Sequence, residues 1–384
     1  MSIRKIGLGL LVSLVCLYFV LRGVQWRDVW DNLSHVDPPL FLLSMLLMLL
    51  AYFLMTWRWR HLLDPLELPA PPVTQASAGV PTRGVRGYVG LMNLYGKVLT
   101  GYFFNAFFPA RAGDVVRAYL LGRKTGLTKT TILATIVIEK AFDGLTLLLM
   151  LLLSLLFLPA TGVTNGVGLS PAVLAWAAGI SLILAVVGLA FFYRHSDMIA
   201  RAVDKLSSML PLPVRLRHMP ARLVETFAGG MHVFKSPLPL ISAALISLLV
   251  WATVALMFFT ALMSFKAPFP VDLTGLVGLF FLTSVVNLGL LIPALPGNVG
   301  TYEALCIAAM AFFKVDKELA VAFALIFHVG QLITTLLVGV LAFWAQNLSL
   351  KEMRPVEEAA EQEAEKSLLD ADHIVEHIEV GVPR

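Results

Sequence analysis

Apolar residues in this chain fall in long uninterrupted runs rather than in the spaced stripe of a soluble helix. Crossing about 30 Å of hydrocarbon at about 1.5 Å per residue takes about 20 residues, and six runs reach or approach that length: 6–21, 40–57, 130–158, 171–193, 238–263 and 318–344. Two further apolar stretches, 88–121 and 273–313, are interrupted by Pro, Gly and polar residues, in 105–114 and 293–300. Each interruption predicts two short helices meeting at a break. The expected fold is an all-α polytopic membrane protein with about six full spans and two broken, re-entrant helical hairpins.

Basic residues gather at Arg4 and Lys5, and in 58–87, 109–129 and 194–236, whereas 22–39, 159–170 and 264–272 hold far fewer. By the positive-inside rule the N-terminus is cytoplasmic, and so is the C-terminus. Each broken stretch then enters and leaves by one face. The chain reads as a first half, 1–158, and a second half, 171–346, of opposite orientation, followed by a tail, 347–384. That is the pattern of an inverted-topology repeat, whose discontinuous helices meet near the midplane. Pro109, Gly113 and Asp114 share their spacing with Pro293, Gly297 and Asn298, and an asparagine, Asn105 or Asn287, precedes each set.

Composition agrees with this reading. Of 384 residues, 58% are hydrophobic and only 14% charged, with a mean hydropathy of +0.82. Soluble domains carry about 25% charged residues, so a soluble enzyme and a free nucleic-acid binder are excluded. The tail holds four basic and ten acidic residues, leaving 25 basic and 15 acidic residues, a net +10, on the rest. Basic surface therefore meets anionic lipid headgroups, and the loop 194–236 is expected to be interfacial and amphipathic. The tail is expected to be disordered or loosely helical. Cys16 and Cys306 both lie in apolar runs, so no disulfide, metal site or cofactor is expected. After the first run no small-x-small cleavage site follows, and it reads as an uncleaved span.

Candidate chemistry lies at the two breaks and on two spans. At the first break, Pro109 and Gly113 stop one helix, and Asp114 can cap the next and pair with Arg117 at i, i+3. Arg111 and Arg117 can donate to a phosphate, or they can reach the cytoplasmic headgroups as snorkelling side chains. At the second break, with Pro293, Pro296, Gly297, Asn298 and Gly300, Glu303 sits in the first turn of the next helix. The macrodipole explains it in part; a proton or a cationic headgroup is the other reading. Glu139 and Asp143 share a face at i, i+4 and must point inward, as an ion pair with Lys140 or an arginine of the first hairpin, or as substrate ligands. His328 and Gln331 share a face of the last span, and His328 is either a packing residue or a proton relay.

The set Asn105, Pro109, Gly113-Asp114, Arg117, Glu139, Asp143, Pro293, Pro296-Gly297, Gly300 and Glu303 resembles the lysylphosphatidylglycerol synthase transmembrane family, the flippase-like proteins of UPF0104. The likeness covers about residues 5–346. It implies a multi-pass protein of the bacterial inner membrane, similar to the N-terminal flippase domain of the multiple peptide resistance factor, which is associated with moving aminoacylated phosphatidylglycerol between leaflets. The resemblance carries Asn105, Asp114, Arg117, Glu139, Asp143 and Glu303 into the expected substrate-binding set, and the residue pattern itself adds Arg111, Asn298, His328 and Gln331. Its expected partners are membrane lipids, an anionic phospholipid or a polyprenyl-phosphate lipid, with no nucleic acid; a homodimer and a separate lipid-modifying enzyme both stay open. Only about 40 residues follow the last span, so the synthase's aminoacyltransferase domain is expected to be missing and no enzymatic step is expected. Lys140 stands where relatives often have Arg, Asn298 where they have Gly, and His328 where they have Arg, which leaves the headgroup open. A membrane-embedded lipid-modifying enzyme and a lipid-binding scaffold are the alternatives.

Overall fold

The computed structural model describes residues 18, 22–64, 66, 85, 89–108, 112–158, 171–209, 237–266, 269–290 and 296–346. Every regular element among them is helical. Outside them lie the predicted span 6–21 apart from Tyr18, the tail 347–384, 210–236 of the interfacial loop, and Pro109, Arg111 and Pro293 at the breaks.

A short helix, α1 (Trp26–Ser34), occupies the predicted outer loop 22–39 and buries Val29. Next, α2 (Pro38–Leu63) starts on Asp37, whose carboxylate accepts from the Leu40 N–H at 3.2 Å, with proline in the first turn, where no backbone donor is needed. The first hairpin is α3 (Leu91–Phe107) and α4 (Ala112–Thr125). The long α5 (Lys129–Phe157) begins on the Thr128 hydroxyl, which accepts from the Thr131 N–H at 3.3 Å. It is followed by α6 (Pro171–Arg194), the amphipathic α7 (Ser196–Met209) and α8 (Pro237–Met263). The second hairpin comprises the one-turn α9 (Val271–Thr274), α10 (Leu276–Gly289), a 3-10 turn at Pro296–Asn298 and α11 (Thr301–Ala311). The last helix, α12 (Lys317–Ala345), is capped by Asp316.

Four of these helices, α2, α6, α8 and α12, are long and apolar enough to cross a membrane. The helix predicted over 130–158 is α5, 29 residues and about 44 Å long, with Glu139, Lys140 and Asp143 in its middle. Outward-facing apolar side chains complete the argument: α6 leaves Trp176, Ile180, Ile183, Leu184 and Val187 exposed, a surface that water does not tolerate and lipid does. The chain is an integral, multi-pass membrane protein.

Packing interlocks the two hairpins with the long helices. The helices α2 and α8 lie along each other, α5 packs on α10, and α12 packs on α3, so each long helix that follows one hairpin is seated against an arm of the other. Aromatic rings fill the interior on the α8–α12 side, with Phe258 and Phe327 edge to face at 5.1 Å.

At the first break the two arms approach backbone to backbone. A Cβ on Gly113 would overlap the Gly101 carbonyl oxygen, so glycine is required there. The Asn105 side chain spans the gap, accepting from the Gly113 N–H at 2.8 Å and donating to Asp114 at 3.2 Å. The expectation of Asp114 as the cap is therefore corrected: α4 starts at Ala112, and Asn105 serves the freed backbone donor. At the second break Gly297, Asn298 and Gly300 all adopt positive φ (71°, 53° and 85°), the left-handed region that glycine and asparagine occupy at least cost. Glu303 closes this turn by accepting from the Gly300 N–H at 2.7 Å.

Gly113→Ala is expected to destabilise the protein by about 1–3 kcal/mol through overpacking. Gly188→Ala on α6, with no atom within 4 Å of the added carbon, is expected to be neutral or slightly stabilising. Melting temperatures of the two detergent-purified variants check this.

Candidate functional site

Three helices bring charged groups to one point at the first hairpin, and a fourth, α8, adds two neutral hydrogen-bonding side chains. On α2, Ala51, Met55, Arg58 and Leu62 are all buried at helical spacing, so Arg58 shares the face that meets α8 and α5. Its Nη1 lies 2.8 Å from Asp143 Oδ1 and donates to Ser247 Oγ at 2.7 Å, and its Nη2 stands 3.7 Å from Glu139 Oε1. From α4, Arg117 donates through Nη2 to Glu139 Oε2 at 2.8 Å, with its guanidinium 4.2 Å from the centre of the Trp59 ring. Trp251 on α8 donates its indole N–H to Asp143 Oδ1 at 3.1 Å.

Arg58, Arg117 and Glu139 are fully buried. Each arginine therefore neutralises a carboxylate that would otherwise stand alone in a medium of low dielectric constant. The Asp114–Arg117 pairing expected from i, i+3 spacing gives way to Arg117–Glu139, because Asn105 holds Asp114 while the α4 face carrying Arg117 turns onto α5. Lys140 is the remaining cation. Its Nζ lies 3.6 Å from Asp143 Oδ2 and 3.9 Å from Glu139 Oε1, and 28% of its side chain is exposed.

The second hairpin holds a separate polar group. Glu303 Oε1 meets His328 Nδ1 at 2.7 Å, and the imidazole stacks on Tyr302 with ring centres 4.3 Å apart. Gln331 donates its amide N–H to the Tyr302 hydroxyl at 2.7 Å.

Between the two groups lies a cavity of about 310 Å³. The first hairpin contributes Asn105 and Ala106 to its wall, the second contributes Gly297, Asn298 and Tyr302, and α5 contributes Lys140 and Asp143. His328, Gln331 and Thr335 line it from α12, and Tyr52, Met55 and Trp251 from α2 and α8. Of the expected binding set, Asn105, Asp143, Asn298, His328 and Gln331 reach the wall. Asp114, Arg117, Glu139 and Glu303 stand behind it, and Arg111 lies outside the described residues. Sequence reasoning passed over Arg58 and the tyrosines, and named Lys140 as an ion-pair partner of Glu139 and Asp143 rather than as a wall residue. Arg58 was legible as part of the 51, 55, 58, 62 stripe, had the span not been ended at Trp57.

The family model described as the lysylphosphatidylglycerol synthase TM region matches residues 6–339. The chain is 27% identical to the glycosyltransferase AglD of Haloferax volcanii, over 94% of this chain and 58% of that protein, so it spans less than two thirds of that relative. It is 21% identical to a UPF0104 membrane protein of Methanothermobacter thermautotrophicus, over 83% of this chain and 89% of the relative. A UPF0104 membrane protein of Methanocaldococcus jannaschii is 20% identical, over 89% of this chain and 95% of the relative.

Arg58→Met is expected to cost about 3–5 kcal/mol, because it leaves buried carboxylate charge uncompensated. Adding Asp143→Asn is expected to restore part of that loss. A melting temperature of Arg58→Met equal to that of the unchanged protein would contradict the pairing.

Proposed function

The chain belongs to the lysylphosphatidylglycerol synthase transmembrane family, and from that premise we propose that it carries lipid headgroups across the membrane through the cavity between its two hairpins. The observation that supports this most is the wall itself: polar side chains from both hairpins, with one partly exposed ammonium, surround space inside a bundle whose outer surface is apolar. Dragging a polar headgroup unaided through hydrocarbon costs several kcal/mol, and such a path lowers that cost.

In this reading Lys140 holds the lipid phosphate, in place of Arg117, whose guanidinium is committed to Glu139 and Trp59. Arg58 and Arg117 are positioning residues that hold α5 so that Lys140 faces the cavity. The halves 1–158 and 171–346 are an inverted repeat, a reading supported by the exchanged packing of α5 on α10 and α12 on α3. Both hairpins are re-entrant, both termini are cytoplasmic, and the membrane is the inner (cytoplasmic) one. The transport reading assigns no chemical step to this chain. One relative is named a glycosyltransferase, and this chain matches only 58% of it.

A second reading draws on the Glu303–His328 pair, in which a carboxylate orients, through Nδ1, an imidazole that lines the cavity. That arrangement suits a general base in a lipid-modifying enzyme.

Purified protein in liposomes is expected to exchange acyl-labelled anionic phospholipid between leaflets, with the lipid recovered unchanged by mass spectrometry. Lys140→Gln is expected to slow exchange about tenfold or more, the loss of one charge-assisted contact, while Lys140→Arg retains it. Full exchange by Lys140→Gln would rule out the phosphate assignment, and recovery of altered lipid would favour the enzyme.

A further inference from the structure

The polar groups on the two sides of the cavity neutralise their carboxylates by different chemistry. Glu139 and Asp143 face the guanidiniums of Arg58 and Arg117, which keep their charge at any working pH. Glu303 is buried as well, yet its ion-pair partner among the described residues is an imidazole, with His328 Nδ1 2.7 Å from Oε1. Imidazole changes charge between about pH 5 and 8. The pair therefore has two states, a neutral one of carboxylate with imidazolium and, one proton poorer, a carboxylate beside a neutral ring. Burial favours the first, because the second strands a carboxylate in a medium of low dielectric constant. Lys140 favours the second, because its positive charge lies on the wall of the same cavity as His328. An anion seated on Lys140 cancels that repulsion and adds an attraction of its own.

The surroundings isolate this pair as the exchangeable charge. The Tyr302 ring stacks on the imidazole with centres 4.3 Å apart, a face that attracts a cation. On α11 the titratable neighbours are Tyr302 and Cys306, a phenol and a thiol, which in water ionise above that range. Neither α10 nor α8 carries a titratable side chain. The wall receives Tyr102 from α3, Tyr52 from α2, and Lys140 and Asp143 from α5. Packed on α12, α1 has Arg27, Asp28 and Asp31 exposed, and the chain just before it engages Lys317 and Glu318, about three turns from His328.

We propose that the Glu303–His328 pair is a proton site linked to the cavity, taking up one proton when an anionic headgroup enters and returning it when the headgroup leaves, so that anionic lipid and proton cross together. The proton comes from water on the side of entry, forms an N–H bond on the imidazole, and returns to water on the side of exit. Glu303 is the positioning residue that keeps the imidazolium neutralised. By reciprocity, the factor by which the anion tightens the proton is the factor by which the proton tightens the anion. The assignment rests on the transport reading for the crossing, whereas the linked uptake needs only that the cavity bind the headgroup.

Two measurements on the purified full chain test it. In phosphatidylcholine nanodiscs, short-chain phosphatidylglycerol is titrated calorimetrically in two buffers of different ionisation enthalpy. Proton uptake is expected to accompany binding near neutral pH, and affinity is expected to be about tenfold tighter at about pH 5.5 than at about pH 8, a typical coupling factor. In liposomes under an imposed gradient of about one pH unit, acyl-labelled phosphatidylglycerol is expected to accumulate in the leaflet facing the alkaline side, towards about a tenfold excess over the other leaflet. Protein-free liposomes give the baseline, and the excess is set by the gradient rather than by the exchange rate. Glu303→Gln keeps an acceptor for the Gly300 N–H and a donor for the imidazole but removes the charge that retains the proton, and His328→Arg replaces a titratable cation with a permanent one. Each is expected to abolish both proton uptake and the asymmetry, with melting temperatures reporting the fold. Equal heats in the two buffers would overturn the proposal, as would proton uptake unchanged in both variants. Uptake without exchange supports the proton site and removes the transport reading. Exchange that stays even across the gradient removes the proton linkage and leaves transport.

Discussion

A carboxylate carried into hydrocarbon must bring its countercharge with it, and in this protein that demand decides where several helices sit. Glu139 and Asp143 lie one turn apart near the middle of α5, and neither is neutralised by its own helix alone. Arg58 comes from α2 and Arg117 from α4, and both guanidiniums are sealed from solvent. Removing either partner would strand a buried charge, at a cost comparable with much of a domain's net stability. The cluster thus ties α2, α4 and α5 together more specifically than apolar packing does. Because the arginines occupy the carboxylates from behind, Lys140 is the cation left at the edge, and the edge is the cavity.

Irregular backbone at membrane depth is a second constraint, since every N–H released by a broken helix needs a partner inside the protein. The two hairpins meet it by different chemistry. In the first, the Asn105 amide stands in for the missing cap, and glycines at 101 and 113 let the arms touch. In the second, Glu303 caps its own turn while also orienting His328. One carboxylate therefore serves both the turn and the imidazole. These repairs draw polar groups toward the interior from both sides, and the cavity forms where they face one another across α5 and α12.

Four of the six predicted spans, the separate helices on either side of each break and the inward face of Glu139 and Asp143 were legible in the sequence, because apolar run length, Pro/Gly interruption and i, i+4 spacing are local properties. Which charge faces which was not. Arg58 looked like a flanking basic residue at the end of a span, yet α2 continues to Leu63 and carries it inward. Arg117 looked like a phosphate ligand, and only the rotation of α4 against α5 shows it to be a partner of Glu139. The short α1 escaped notice because nine residues of amphipathic helix in a loop give too brief a pattern. His328 and Glu303, 25 residues apart, are brought together by the packing of α11 on α12, which spacing alone cannot give.

The central claim is that a lipid headgroup occupies the space between the hairpins. Photo-crosslinking with a phosphatidylglycerol analogue that carries a diazirine on its headgroup, followed by peptide mapping, tests it most directly. Adducts are expected on both breaks, around Asn105 and Asn298, and on α5 around Lys140, all suppressed by excess unlabelled lipid. Adducts confined to the lipid-facing side of α6, around Trp176 and Ile183, would contradict it.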